Sequence, residues 1–325
     1  MSTMKAVMIR EAGGPEVLIL EDRPIPTPKP GWVLIRVRAF GLNRSELFTR
    51  QGHSPNVRFP RILGIEAVGE VVGAPNGEFA PGDKVATAMG GMGRAFDGGY
   101  AEYTLVPASQ VQKIETGLDW ATLGALPEMV QTAHGSLHTS LRLEAGQTLL
   151  IRGGTTSVGL AAAILAKKLG ATVIATTRNP EREAMLIDNG ADHVIIDDGE
   201  IAGAARGLLP KGADRVLELV GTTTLLDSLK AVGRGGAVCM TGMVGGRWEF
   251  ERFSPMDAIP TAVSLTTYAG GAEDFMATPL QDFIDQLESA GANAPIGMVF
   301  AIDEIIEAHR AMEDNRAGGK IVVTA

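Results

Sequence analysis

The sequence predicts an α/β protein in two parts: a β-rich domain made from both ends of the chain, and a doubly wound parallel sheet inserted between them. Three observations predict it. Residues 1–120 are short β-branched and apolar runs separated by Gly and Pro. From about residue 121, continuous apolar runs alternate with helical stretches, the pattern of βαβ units whose strands are buried on both faces. The length, 325 residues, suits two domains better than one.

Taken in order, "MKAVMIR", "VLILED", "WVLIRVRAFGL", "AVGEVVG", "DKVATA" and "AEYTLVP" are the strands of the first part. Turns such as Pro81-Gly82-Asp83 separate them, and together they predict a partly closed barrel. In the second part "TLLIR" is a buried strand and "VGLAAAILAKKLG" a helix apolar on nearly every face, stopped by Gly170. "ATVIATT" is the next strand and "PEREAMLIDNG" a helix opened by Pro180. "HVIID", a short helix near 200–208, "RVLELVG", the helix "TTLLDSLKAV", "GGAVCMTG" and "VSLTTY" complete the alternation. These strands fill the sheet. The tail, with helices "ATPLQDFIDQLES" and "IDEIIEAHRAMEDN" and the strand "GKIVVTA", is therefore expected to return to the first domain. The expected domains are 1–120, completed by 269–325, and 121–268.

Composition narrows the function. Lys plus Arg is 29 and Asp plus Glu is 38, a formal charge of −9, with no block of five like charges. That balance argues against nucleic acid or an anionic membrane as partner. The single cysteine, Cys239, excludes an intramolecular disulfide and any cysteine-rich metal site, and suits a reducing compartment. No run of about 18 apolar residues and no leader pattern occurs. A soluble, cytoplasmic protein is expected. The chain holds 41 glycines, where average usage gives roughly 23, so tight turns and close backbone approaches are expected.

One such turn carries chemistry. Residues 152–162 read RGGTTSVGLAA, between a strand and a helix, where a dinucleotide site reads G-x-G-x-x-G. In Gly154-Thr155-Thr156-Ser157-Val158-Gly159 the first glycine makes the turn and the last lets helix and strand pack, with the helix N-terminus facing the phosphates. Thr156 stands at the middle glycine, and the hydroxyls of Thr155, Thr156 and Ser157 are expected to donate to phosphate instead. An NAD site places Asp or Glu about 20 residues on, at the end of the second strand. Here Thr177 stands there, followed by Arg178 and, one helical turn on, Arg182. Two cations suit a 2′-phosphate, so NADPH is the expected cofactor. Two features oppose this. Arg178 can instead pair with Glu181, and Asp197 and Asp198, at the end of the third strand, would repel a phosphate from the same pocket.

The chain resembles the medium-chain dehydrogenase/reductase superfamily, and within it the zinc-free, zeta-crystallin-like quinone oxidoreductase branch, over nearly its whole length. The resemblance rests on "GLNRSELFTRQG" at 41–52, "FPRILGIEAVGEV" at 59–71, "PGDKV" at 81–85, "GGYAEY" at 98–103, "QTAHGSL" at 131–137, the loop at 153–159 and "EIIEAHRAMEDNRAGGKIVV" at 304–323. The family loop usually reads A-x-x-G-x-V-G, from which Gly153 and Thr156 depart. Zinc-dependent members carry Cys and His where this chain has Asn43 and Ile65, and its first domain has no cysteine. Neither a catalytic nor a structural zinc is expected. Alcohol oxidation, which needs a Lewis acid, is thereby disfavoured.

The resemblance implies a GroES-like catalytic domain and a Rossmann-type dinucleotide domain. It implies that Asn43 orients the ribose or the acceptor oxygen beside the nicotinamide and that Thr132 lines it. Leu219, Val220, Gly242 and Met243 would contact the nicotinamide half, with Lys320 a weaker cofactor candidate. Phe48 stands where many quinone reductases carry Tyr; it can stack on a flat acceptor but cannot donate a proton. A quinone tolerates that loss, because water can protonate its reduced anion, better than an enone does. The implied function is NADPH-dependent, metal-free hydride transfer to a quinone or similar conjugated carbonyl. The alternatives are an enoyl-thioester or enone reductase, or a non-catalytic NADPH-binding protein acting as sensor or RNA binder. A homodimer paired along "VSLTTY" is implied as well. His53 and His134 are either pocket-lining or structural, His309 and Cys239 structural, and Glu66 a buried charge paired with an arginine.

Overall fold

A computed structural model describes residues 2–291 and 294–325. In chain order the strands are β1 (Thr3–Ile9), β2 (Ile19–Pro24), β3 (Trp32–Leu42), β4 (Arg61–Ile62), β5 (Glu66–Gly73), β6 (Lys84–Ala88), β7 (Tyr103–Pro107) and β8 (Val111–Lys113). Then come β9 (Thr148–Arg152), β10 (Thr172–Thr177), β11 (His193–Ile196), β12 (Ala213–Glu218), β13 (Val232–Met240), β14 (Ser264–Thr267), β15 (Ile296–Ala301) and β16 (Lys320–Thr324). The chain divides into two compact units, one of residues up to Gln131 and from Gly270 onward, the other Thr132–Ala269.

The first unit holds a three-stranded sheet, β2-β1-β4, and a seven-stranded one, β15-β16-β3-β5-β6-β8 with β7 also on β3. β3 sends Val33, Ile35 and Val37 into the core, with Leu34 buried as well and Arg36 exposed. The tail returns here: β16 runs antiparallel to β3, with Ile321 opposite Leu42 and Thr324 opposite Ala39. The unit extends to Gln131, beyond the change of sequence texture near residue 121. The helix Trp120–Gly124 explains the extension, because it packs on β3 and β16. A Cβ at Gly124 would lie 2.6 Å from that of Ala39 and 3.2 Å from Val322 Cγ1.

The second unit is a six-stranded parallel sheet in the order β11-β10-β9-β12-β13-β14. Leu149, Leu150, Ile151, Val173, Ile174, Val216, Leu217, Val238 and Cys239 are wholly buried, as strands covered on both faces must be. The order reverses between β9 and β12, so a crevice opens beyond their C-terminal ends. β11 and β14 are the outer strands. Among the described residues no helix is long and apolar enough to cross a membrane.

Candidate active site

The glycine loop follows β9 directly. Gly153 has φ +84°, a conformation that favours glycine. Its N–H donates to Thr176 Oγ1 (3.1 Å) and that of Gly154 to Thr176 O (3.0 Å), stitching the loop to β10. A Cβ at Gly159 would lie 2.7 Å from the carbonyl oxygens of both Gly153 and Gly154. Nothing larger than glycine fits.

Thr156 is the N-cap of the helix Ser157–Leu169. Its hydroxyl accepts from Gly159 N–H at 3.0 Å and donates to Gly153 O at 2.8 Å. That corrects one expectation: the Thr156 hydroxyl proton is committed inside the loop and is not held out to a phosphate. Among the described residues no protein partner is recorded for the N–H groups of Ser157 and Val158, in the first turn of this helix, or for the hydroxyls of Thr155 and Ser157. These donors at a helix N-terminus form an anion-binding set. Thr156→Ala is expected to cost about 1 kcal/mol and Thr156→Gly only a few tenths. Chemical denaturation of the two variants checks this, and an equal loss in both would refute the capping role.

The other nucleotide-side residues gather at neighbouring strand ends. Thr177 closes β10, its hydroxyl engaged with Asn179 N and O, both at 3.1 Å. Arg178 is exposed and Arg182 half-buried; among the described residues no ion pair joins Arg178 to Glu181. Leu219, beyond β12, donates its N–H to Arg152 O at 3.0 Å. A Cβ at Gly242 would meet Leu219 O at 2.3 Å, so residues 219–221 and 242–245 pack backbone to backbone. Val244 N–H donates to Leu219 O (3.2 Å) and Gly245 N–H to Val220 O (2.8 Å), and Met243 is half-buried beside them. The structure thus brings residues 154–159, 177, 219–220 and 242–243 to the C-terminal edge of one sheet.

Two residues here escaped the sequence reading. Glu218 ends β12 wholly buried, accepting from Val220 N–H (2.7 Å), Gly221 N–H (3.0 Å) and the Thr224 and Ser228 hydroxyls. It fixes the turn that carries Leu219 and Val220, and burial pushes its carboxyl pKa up. Arg152 ends β9, also wholly buried, and pairs with Asp197 and Asp227. The one signal for either is a charge inside an apolar run, "LELVG" and "LLIRGG".

In the first unit Asn43 precedes the helix Arg44–Arg50 and is 7 % exposed. Its amide nitrogen donates to Glu66 Oε1 (2.9 Å) and Glu46 Oε1 (3.4 Å), and its oxygen accepts from Lys320 Nζ. Lys320 also pairs with Glu66 (2.8 Å) and Glu128 (3.3 Å), which occupies all three of its donors. The pairing is possible because residue 41 is glycine: a Cβ there would sit 2.2 Å from Lys320 Cε and 2.5 Å from Glu66 Oε1. The partner expected for Glu66 was an arginine; it is a lysine. Lys320, offered as a cofactor contact, is instead spent inside this cluster.

Glu46 Oε1 also accepts from Ile65 N–H at 3.0 Å, while Oε2 is buried with no partner among the described residues. Burial above all pushes its pKa up to about 7, with Glu66 adding to the rise and the Ile65 hydrogen bond opposing it. Phe48, half-buried, packs on the unit's core. Thr132, 8 % exposed, lies in the helix Leu126–His134. His309 is buried with Nε2 3.1 Å from the Tyr100 hydroxyl, while His53 is exposed and His134 lies beside His138, rings 4.5 Å apart. Among the described residues no group of three or more His, Cys, Asp or Glu side chains is placed to hold a metal ion.

A doubly wound sheet with a glycine turn at its switch point, in one chain with a β-rich unit, is an architecture shared by two-domain dinucleotide-dependent oxidoreductases. The chain belongs to the medium-chain dehydrogenase/reductase superfamily, and its relatives there include curated quinone oxidoreductases. Residues 29–116 match the family described as alcohol dehydrogenase GroES-like domain, and 157–288 the one described as zinc-binding dehydrogenase. The quinone oxidoreductase of Homo sapiens is 31% identical over 333 residues, covering 98% of this chain and 97% of that one. The acryloyl-coenzyme A reductase of Metallosphaera sedula is 30% identical over 268 residues, 74% of this chain and 77% of its own. A mycobacterial protein solved with NADPH superposes with a TM-score of 0.87 at 27% identity, over 99% of this chain and 100% of that one.

Proposed function

We propose that the protein is an NADPH-dependent reductase that delivers a hydride to a quinone or similar conjugated carbonyl without a metal ion. The observation that carries the cofactor choice is the end of β10. No carboxylate stands at Thr177, Arg178 follows it without a counter-ion among the described residues, and Asp197 is already held by Arg152. The solved mycobacterial relative with NADPH supports the same choice.

The donor set fits such a cofactor. The N–H groups of Ser157 and Val158 would hold its pyrophosphate and Arg178 and Arg182 its 2′-phosphate. Leu219, Val220, Gly242 and Met243, on the turn braced by Glu218, would line its nicotinamide half, with Thr132. When bound, the cofactor supplies the hydride. Phe48 offers a flat apolar face to a planar acceptor. Asn43 has both ends of its amide fixed by Glu66 and Lys320, so it serves as a rigid wall and not as an adjustable donor. The acceptor takes one hydride from the cofactor and one proton from water. That suits a quinone, whose reduced anion is stabilised by its own ring.

The test is NADPH consumption by the purified protein with a simple quinone and a simple enone side by side, NADH as cofactor control, and a chelator in a parallel sample. Turnover is expected with the quinone and NADPH, unchanged by the chelator and weaker with NADH. Faster turnover of the enone would favour the second reading, an enone or enoyl-thioester reductase, for which the acryloyl-coenzyme A reductase relative speaks. NADPH binding without turnover of either acceptor would leave a non-catalytic role.

A further inference from the structure

We propose that Arg152 sets the cofactor preference from beneath the glycine loop, by holding Asp197 away from the ribose end of the site. The inference rests on the NADPH reading and deepens it. Asp197 directly follows β11, and its N–H donates to Thr177 O at 2.8 Å, so it stands one strand across from the residue at the ribose position. A free carboxylate there has the acceptor chemistry that binds a ribose hydroxyl and the charge that repels a 2′-phosphate. It is not free. Arg152 Nε and Nη2 each reach one of its two oxygens at 2.9 Å, a bidentate fork that leaves the Asp197 side chain 8 % exposed.

The rest of the guanidinium is bound to its surroundings. Nη1 donates to Asp227 Oδ2 (2.8 Å) and Thr224 O (3.1 Å), and Nη2 to Gly199 O (2.8 Å). Thr176 Oγ1, which also receives the Gly153 N–H, stands 3.5 Å from Asp197 Oδ2. One side chain therefore links the glycine loop, the end of β11 and the helix Leu225–Ala231. A plain stabilising pair would not need a wholly buried guanidinium, since desolvation offsets much of its attraction. What this geometry achieves is specific: the acid whose N–H is bonded to Thr177 O is paired, while Arg178 and Asp198 stay exposed on that side.

The experiment measures NADPH and NADH dissociation constants by calorimetry for the wild type, Arg152→Gln and Arg152→Gln/Asp197→Asn, with circular dichroism as the check on folding. The wild type is expected to prefer NADPH. A unit negative charge released on the side of the 2′-phosphate opposes NADPH and not NADH, so Arg152→Gln should lower the NADPH-to-NADH preference about tenfold. Removing the released charge in the double variant should restore it to within about threefold of wild type. A proportional loss of both affinities with the ratio unchanged overturns the inference and leaves Arg152 a structural role. A double variant that still lacks the preference overturns it too, because Arg152 would then act on the phosphate by itself. If Arg152→Gln does not fold, the double variant decides alone on the same criterion. A wild type that prefers NADH refutes the cofactor reading before any variant is made.

Discussion

Lys320→Met is expected to destabilise the first unit by about 3–5 kcal/mol, the usual loss when one partner of a buried ion pair is removed. Methionine nearly fills the same volume, so the loss comes from charge and not from a cavity. Glu66, fully buried, and Glu128 lose their cation, and Asn43 Oδ1 loses its donor. Exposed pairs behave differently. Lys5–Asp22, with side chains 51% and 61% exposed, should be worth at most about 1 kcal/mol. Denaturant midpoints of Lys320→Met and Lys5→Met measure the contrast. Adding Glu66→Gln to Lys320→Met should recover part of the loss, since it removes the charge that was stranded. A Lys320→Met loss below 1 kcal/mol would mean that the carboxylates of the cluster hold protons in the wild type and that no buried ion pair exists there.

The parallel sheet was legible because its strands are uninterrupted apolar runs bounded by glycine, a pattern that survives without any tertiary information. β15 was not. Its residues Ile296–Ala301 are an apolar run, but Pro295 before it and Gly297 inside it mark a connection between helices, and its pairing with β16, with residues alternately half-buried and exposed, makes it a strand. Thr156 shows a different failure. Read as a nucleotide motif, it is a missing glycine; read as a helix start, it is a standard cap, and the second reading is what the fold uses. The polar clusters were beyond reach for a third reason. Asn43 meets Lys320 across 277 residues, and Arg152 meets Asp227 across 75, so strand order alone decides those contacts. A charge embedded in an apolar run says only that a partner exists.

Glu46→Gln is expected to stabilise the protein above pH 7 by about 3 kcal/mol and to change little below pH 4.5. The sign follows from burial. The folded protein raises the Glu46 carboxyl from its ordinary 4.5 to about 7. Between those values it binds the proton more tightly than the unfolded chain does, so stability falls as pH rises through that window. Below 4.5 both states are protonated and the difference vanishes; above 7 the cost of ionising a buried carboxyl is borne in full. Glutamine cannot ionise. It keeps the acceptor that Oε1 offers to Ile65 N–H and Asn43, and its amide nitrogen takes the place of Oε2, which has no partner among the described residues of the wild type either. Stability against denaturant at pH 5, 6, 7 and 8 should therefore show a gap between the two proteins that opens as the pH rises. Curves that stay parallel across the window would show that Glu46 ionises normally and that the Lys320 ammonium, which favours its charged form, outweighs burial. The same cluster would then carry three carboxylates against one cation, and the loss expected for Lys320→Met would exceed 5 kcal/mol.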